Sequence, residues 1–279
     1  LGDFYKDKVS VEDVFDIEKW ASLLAIIDMT ATHHGALLWN VKLYFNPISE
    51  LFEPIPYDGH RNKPNYHKYN INYDNRLIFD LVDTPKSIYE ETNYYYLKKF
   101  FYKKNGDLNS VFYDLYLNKL NIISSSKYLD KFLSKNLDQI KKINSKIYAD
   151  YFYYDNSLTY GTGLYYFLLT DFFQKAENIK MKMKNVKKMQ IIQKNKSEFL
   201  VKVFYKNYGA LIIDKMICNK GNENIEIKVK KRLNNFSDTS IKLTEEQTRS
   251  LKCTHVNFTN KFNNNSILLK IDYINSEYN

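Results

Sequence analysis

The sequence predicts an α+β protein built in two parts. Apolar residues recur at helical spacing as far as about residue 176, and from about residue 186 the period falls to two. Gly (8) and Pro (5) are scarce in 279 residues, which argues against long flexible linkers. The parts are therefore 1–176, mostly helical, and 186–279, a small antiparallel β-sandwich or barrel. An apolar fraction of 44% supplies a core for each.

Residues 11–29 read as a helix, capped by Asp13 or Asp16, with Trp20, Leu23, Leu24 and Ile27 inward. A loop over 30–40 leads to two strands, Val41 to Phe45 and Leu51 to Ile55, around the turn Asn46-Pro47. Trp39, Tyr44, Phe45 and Tyr57 read as core packing for this hairpin, and Glu53 as a solvent-facing acid. Residues 59–76 are polar and irregular, a loop carrying His60, Arg61, His67 and Arg76. Helices occupy most of 85–175. The first follows the cap Thr84-Pro85, a second buries Leu108, Val111, Phe112, Leu115 and Leu120, and a third starts at Ser124 to Ser126. That third helix turns Leu129, Phe132, Leu133, Leu137, Ile140 and Ile143 inward and Lys131, Lys135, Asp138, Lys141 and Lys142 outward. A loop around Gly161-Thr162-Gly163 then precedes an apolar helix from Leu164 to Phe173. Six strands follow at Met189 to Gln193, Phe199 to Tyr205, Ala210 to Ile217, Ile225 to Lys231, Leu251 to Phe258 and Ser266 to Ile274.

The net charge is +9 and uneven. Between residues 175 and 232 there are 16 Lys and Arg against 5 Asp and Glu. Such a segment suits phosphate, an acidic glycan or an anionic membrane surface, though a solvated face is the plainer reading. The sequence holds no nucleic-acid motif, so no specific nucleic-acid partner is expected. There is no apolar run long enough for a transmembrane segment. Cys218 and Cys253 form no C-x-x-C pair, and their pairing is left open. The chain opens at Leu1 without an initiator Met, which reads as part of a longer protein.

Chemistry concentrates between residues 28 and 60. Asp28 ends an apolar run, Asn40 precedes the first strand, and Tyr57-Asp58-Gly59 closes the second. Phosphoryl transfer by kinases uses an acid after a helix to orient the attacking hydroxyl, and an amide and a second acid to hold magnesium against ATP. Asp28 fits the first role, and Asn40 and Asp58 fit the other two. Each alone reads more simply as a cap or turn residue; their order makes the functional reading. Prolines 54 and 56 end the second strand before Asp58, and Gly59 lets the backbone turn away from an ion. His33 and His34 stand between, and one of them can assist Asp28 or replace it.

The segment WNVKLYFNPISELFEPIPYDGH, with Asp28 and His33-His34-Gly35 before it, resembles the CotH family of spore-coat-type atypical kinases. It is nearer to the branch associated with bacterial surface polysaccharide genes. The resemblance spans roughly residues 15–62 and implies a kinase C-lobe-like fold for 1–176, with the catalytic hairpin at 28–60. It implies ATP and Mg2+ or Mn2+ as cofactors and a hydroxyl-bearing protein or glycan as acceptor. Asp28 and His34 become the catalytic candidates, and Asn40 and Asp58 the metal and nucleotide ligands. The glycine-rich phosphate loop and lysine of an N-terminal lobe are missing from this chain, which is therefore expected to be catalytically incomplete. Two other readings stay open: a non-catalytic kinase-like scaffold, and a divalent-metal hydrolase using His33 or His34 with Asp58 and His60.

Overall fold

The computed structural model describes residues 1–57, 76–151, 169–184, 189–195, 197–203, 211–221, 223–233, 239–244, 247, 251–260 and 266–273. The fold is mixed α+β, and Cα packing divides it into two compact units, Leu1–Lys180 and Met181–Asn279.

In the first unit a single turn, α1 (Gly2–Tyr5), precedes α2 (Ile17–Thr30). Asp16, not Asp13, caps α2 by accepting the Lys19 N–H at 3.0 Å. Asp13 is occupied by the backbone and hydroxyl of Ser10. The expected helical start at residue 11 is thereby lost. Phe15 instead bridges Phe52, with Phe52 N–H donating to Val14 O and Asp16 N–H to Phe52 O.

The hairpin pairs β1 (Lys42–Asn46) with β2 (Leu51–Ile55) in the register Lys42 with Ile55 and Asn46 with Leu51. Asn46 closes the turn through its Oδ1, which accepts from Ile48 N–H at 2.9 Å. Its Nδ2 reaches Glu53, which also takes Lys19 Nζ at 2.6 Å. Glu53 is therefore bound to α2 rather than turned to solvent, and these two donors, Lys19 first, hold its carboxyl below the usual range. The hairpin aromatics correct a second expectation. Trp39, Tyr44, Phe45 and Tyr57 are about half exposed, because the unit's core is filled by other rings.

Those rings come from the helices: α3 (Ile78–Asp83), α4 (Ile88–Tyr94), α5 (Lys98–Phe101), α6 (Ser110–Ile123) and α7 (Ser126–Tyr151). Trp20 and Phe100 lie 4.7 Å apart, Phe79 and Phe101 5.1 Å, and Phe101 and Phe112 5.1 Å, mostly edge-to-face. In α6 the buried stripe is Phe112, Tyr113, Tyr116, Leu117 and Leu120, while Val111 is exposed. The stripe is turned from the expected one because two tyrosines, polar at their tips, take core positions. Ser87 rather than Thr84 caps α4. Arg76 is buried: its guanidinium binds both oxygens of the fully buried Glu90 and the carbonyls of Asp80 and Thr84. The lysines named for α7 are exposed as expected, but so is Ile143.

Helix α8 (Leu169–Lys184) crosses the boundary between the units. The Gly161-Thr162-Gly163 loop and the start of the Leu164 to Phe173 helix lie outside the described residues. The second unit holds β3 (Met189–Gln193), β4 (Glu198–Val203), β5 (Leu211–Lys220), β6 (Glu223–Arg232), β7 (Thr239–Lys242), β8 (Lys252–Asn260) and β9 (Ser266–Tyr273). They form one sheet in the order β6-β5-β8-β9-β3-β4-β7. Pairing is antiparallel except between β3 and β9, which run parallel, so the expected antiparallel sandwich or barrel is found as one curled sheet, and the correction is that it is mixed. The sheet curls around a single core that includes Ile227 and Leu233 from one edge and Ile241 and Leu243 from the other. Lys231 Nζ on β6 reaches Ser240 O on β7 at 2.6 Å, so the two edges approach each other. The curl has a local cause: the β5–β6 register shifts at Ile213/Lys215, opposite Lys230, whose φ is +48°. Such bulges sharpen the right-handed twist. Cys218 on β5 and Cys253 on β8 are buried and joined in a disulfide.

Candidate functional site

Asp28 lies in the last turn of α2, which ends at Ala31 in the left-handed conformation (φ 56°). A carboxylate at a helix C-terminus opposes the helix dipole, and Asp28 is also 0% exposed. Three donors offset that cost. Ile78 N–H donates to Oδ1 at 2.7 Å, His33 Nε2 lies 3.2 Å from Oδ1, and the Tyr116 hydroxyl donates to Oδ2. The carboxylate accepts only, so His33 Nε2 carries the proton. Burial and the Asp28 carboxylate push the Tyr116 phenol well above its ordinary value, so Tyr116 stays a donor. Asp28 thus ties together α2, α6, the turn after α2 and the point where the described chain resumes at Arg76.

Two short 3-10 turns, His33–Ala36 and Leu38–Asn40, fill the stretch expected to be loop. Tyrosines hold the first by its backbone. Tyr94 donates to His33 O at 3.2 Å and Tyr96 to Ala36 O at 3.0 Å. His33 is fully buried against Asp28, whereas its neighbour His34 is half-buried. Adjacent residues on a 3-10 turn point about 120° apart, and His34 meets Asn40. Asn40 Nδ2 lies 2.8 Å from His34 Nδ1 and 2.9 Å from His34 O. A carbonyl accepts only, so the nitrogen of the amide faces His34 and the amide orientation is fixed. His34 Nδ1 is then an acceptor, which puts the ring proton of a neutral His34 on Nε2. The Asn40 oxygen is turned away from these bonds.

Asn40 lies two residues before β1, and Tyr57 two residues after β2. Because Lys42 pairs with Ile55, Asn40 and Tyr57 leave the hairpin at the same end. Lys42 Nζ sits 5.1 Å above the Tyr57 ring and steadies that exit. Asp58, Gly59 and His60 come next in the chain and lie outside the described residues, as do Arg61 and His67. The structure therefore gathers Asp28, His33, His34 and Asn40 into one connected cluster, with the chain running toward Asp58 from the same hairpin end.

An oxygen donor of fixed orientation suits Mg2+ or Mn2+, and the buried Asn40 amide holds one. Among the described residues no group of three or more His, Cys, Asp and Glu is placed to hold a metal ion. His33 is committed to Asp28, which removes it from a hydrolase ligand set in this conformation. Sequence reasoning missed Tyr116, Tyr94 and Tyr96, the groups that fix the cluster. Their signal was available in principle, since each is a tyrosine at a core-facing helical position, where a buried hydroxyl needs a partner. Among the described residues no helix is long and apolar enough to cross a membrane. Comparison with family models, with curated proteins and with solved structures finds no match in any of the three.

Proposed function

We propose that the first unit is the C-terminal lobe of a CotH-like atypical kinase, contributing to metal-dependent phosphoryl transfer from ATP to a hydroxyl of a protein or glycan. The observation that supports this best is the pinned Asn40 amide beside the hairpin exit that leads to Asp58. Asn40 through its oxygen and Asp58 through its carboxylate are the ligands assigned to Mg2+ or Mn2+. The bound ion supplies charge neutralisation at the phosphates. The protein's part is positioning. His34 fixes Asn40, and its Nε2–H is a donor suited to a phosphate or hydroxyl oxygen. Asp28, enclosed by its three donors, holds the histidine turn in place instead of meeting the acceptor hydroxyl directly. The test is Mn2+ titration followed by electron paramagnetic resonance in the presence of ATP. Loss of at least tenfold in Mn2+-ATP affinity in Asn40→Ala, with the fold unchanged, is expected. Equal affinity removes Asn40 from the site and the proposal with it.

The complete enclosure of Asp28 also favours a second reading, a non-catalytic kinase-like scaffold for a protein or surface-polymer partner. It predicts no nucleotide binding under any divalent metal.

A further inference from the structure

We infer that the outer face of the second unit's sheet is a docking surface for an acidic polysaccharide. This stands apart from the phosphotransfer reading and involves none of its residues. The seven strands carry ten Lys and Arg against five Asp and Glu. Strand alternation decides where they point. Ile227, Val229, Met216, Val256 and Ile271 face the core, so Lys228, Lys215, His255 and Lys270 face outward. In the register Lys228 stands opposite Lys215, and Lys270 opposite His255. Lys228 and Lys270 are separated by three strand spacings, about 15 Å, the scale of several sugar residues.

Acids on this face are already engaged. Glu226 pairs with Lys215 at 2.6 Å, Asp214 accepts from Thr259, and Asp272 accepts from Gln190 at 3.0 Å. Lys228, Lys230 and Lys270 are exposed, and among the described residues none has an anionic partner. Lys230 is held at the bulge, where its positive φ fixes the backbone that carries it. Among the described residues the excess is therefore a set of ammonium groups without anionic partners on one sheet, complementary to a spaced row of carboxylates or sulfates.

Three observations choose among polyanions. Phe199 and Phe258 both point into the core, so among the described residues neither strand phenylalanine gives the face a platform for stacking bases. Leu268, at 53% exposure, is its one strongly exposed apolar side chain among the described residues, too little for insertion into a bilayer. The Cys218–Cys253 disulfide bridges β5 and β8 of this same sheet. Disulfides persist in oxidising compartments, where acidic glycans rather than nucleic acids are the abundant polyanions. Asn257, Thr254 and Thr259, interleaved with the lysines, add hydrogen-bonding groups suited to sugar hydroxyls.

The experiment measures binding of the whole chain to polygalacturonate and to dextran sulfate, with neutral dextran, single-stranded DNA and phosphatidylserine vesicles beside them. Submillimolar binding to at least one of the two acidic polysaccharides and none to dextran is expected, weakening steeply with salt. The triple variant Lys228→Gln/Lys230→Gln/Lys270→Gln should raise Kd at least tenfold at an unchanged thermal midpoint. A charge-matched variant on α7, Lys131→Gln/Lys135→Gln/Lys142→Gln, should change Kd less than threefold. Preference for carboxylated over sulfated chains, or the reverse, then names the anion. The inference is overturned by failure to bind either polysaccharide, by equal losses in the two variants, or by tighter binding of DNA or vesicles.

Discussion

Asp28→Asn keeps the shape of the side chain and exchanges one acceptor oxygen for an NH2 donor. In the native site both oxygens are surrounded by donors: Ile78 N–H and His33 Nε2 at one, the Tyr116 hydroxyl at the other. An NH2 in the place of Oδ1 would face the Ile78 N–H, so the amide is expected to turn its NH2 to Tyr116, whose hydroxyl can accept as well as donate. The bond from Tyr116 to a charged carboxylate, which contributes about 1.5–3 kcal/mol, then gives way to a weaker neutral one. The buried Tyr116 O–H is left without its acceptor, which adds about 1–3 kcal/mol. The variant is therefore expected to lose about 3–5 kcal/mol of stability, a large share of the roughly 5–15 kcal/mol typical of a domain. Tyr116→Phe alone should cost about 1.5–3 kcal/mol. The two together should cost less than the sum by about 1–3 kcal/mol, since they remove the same bond. Urea unfolding followed by the fluorescence of buried Trp20 measures all three. A cost below 1 kcal/mol for Asp28→Asn, or strict additivity with Tyr116→Phe, refutes the reading of Asp28 as the anchor of this cluster.

The Arg76–Glu90 pair is buried, at 9% and 0% side-chain exposure. Glu90→Gln should therefore destabilise by about 3–5 kcal/mol, because it strands a guanidinium in the interior; a neutral result by urea unfolding contradicts that. Burial raises the phenols of Tyr96 and Tyr116 well above the ordinary value near 10. A raised folded-state value means that their contribution is complete below pH about 10 and is lost as pH rises, since the unfolded chain then releases protons the folded one retains. Stability should fall by about 1.4 kcal/mol per pH unit for each of the two above pH about 11. Tyr116→Phe should lower the slope by about 1.4 kcal/mol per pH unit, and an unchanged slope in urea titrations between pH 10 and 11.5 counts against it.

Much of the fold can be read from the chain because period and turn chemistry agree locally. The hairpin is legible from alternation around Asn46-Pro47, and Met189–Gln193 from its apolar run. What escaped depends on distant partners. Val14 and Phe15 leave the helix because Phe52 supplies hydrogen bonds from 37 residues away along the sequence. Thr239–Lys242 is too short to announce itself, and the parallel β3–β9 pairing joins strands about 80 residues apart. Tyr113 and Tyr116 were passed over for the core because a tyrosine's burial depends on finding a partner for its hydroxyl, here Asp28 for Tyr116. At the site, residue order brought out Asp28, His34 and Asn40, and the structure joins them through one turn. Order along the chain carried no sign that Asp28 would be sealed from solvent by groups from α6 and from Ile78.

The metal-nucleotide site proposed at the hairpin exit stands or falls on calorimetric titration of ATP with Mg2+ or Mn2+. The protein that carries this chain is titrated beside its Asp58→Ala variant. Binding that requires both the metal and the Asp58 carboxylate is the predicted result. Nucleotide affinity unchanged by Asp58→Ala, or no binding with either metal, contradicts it.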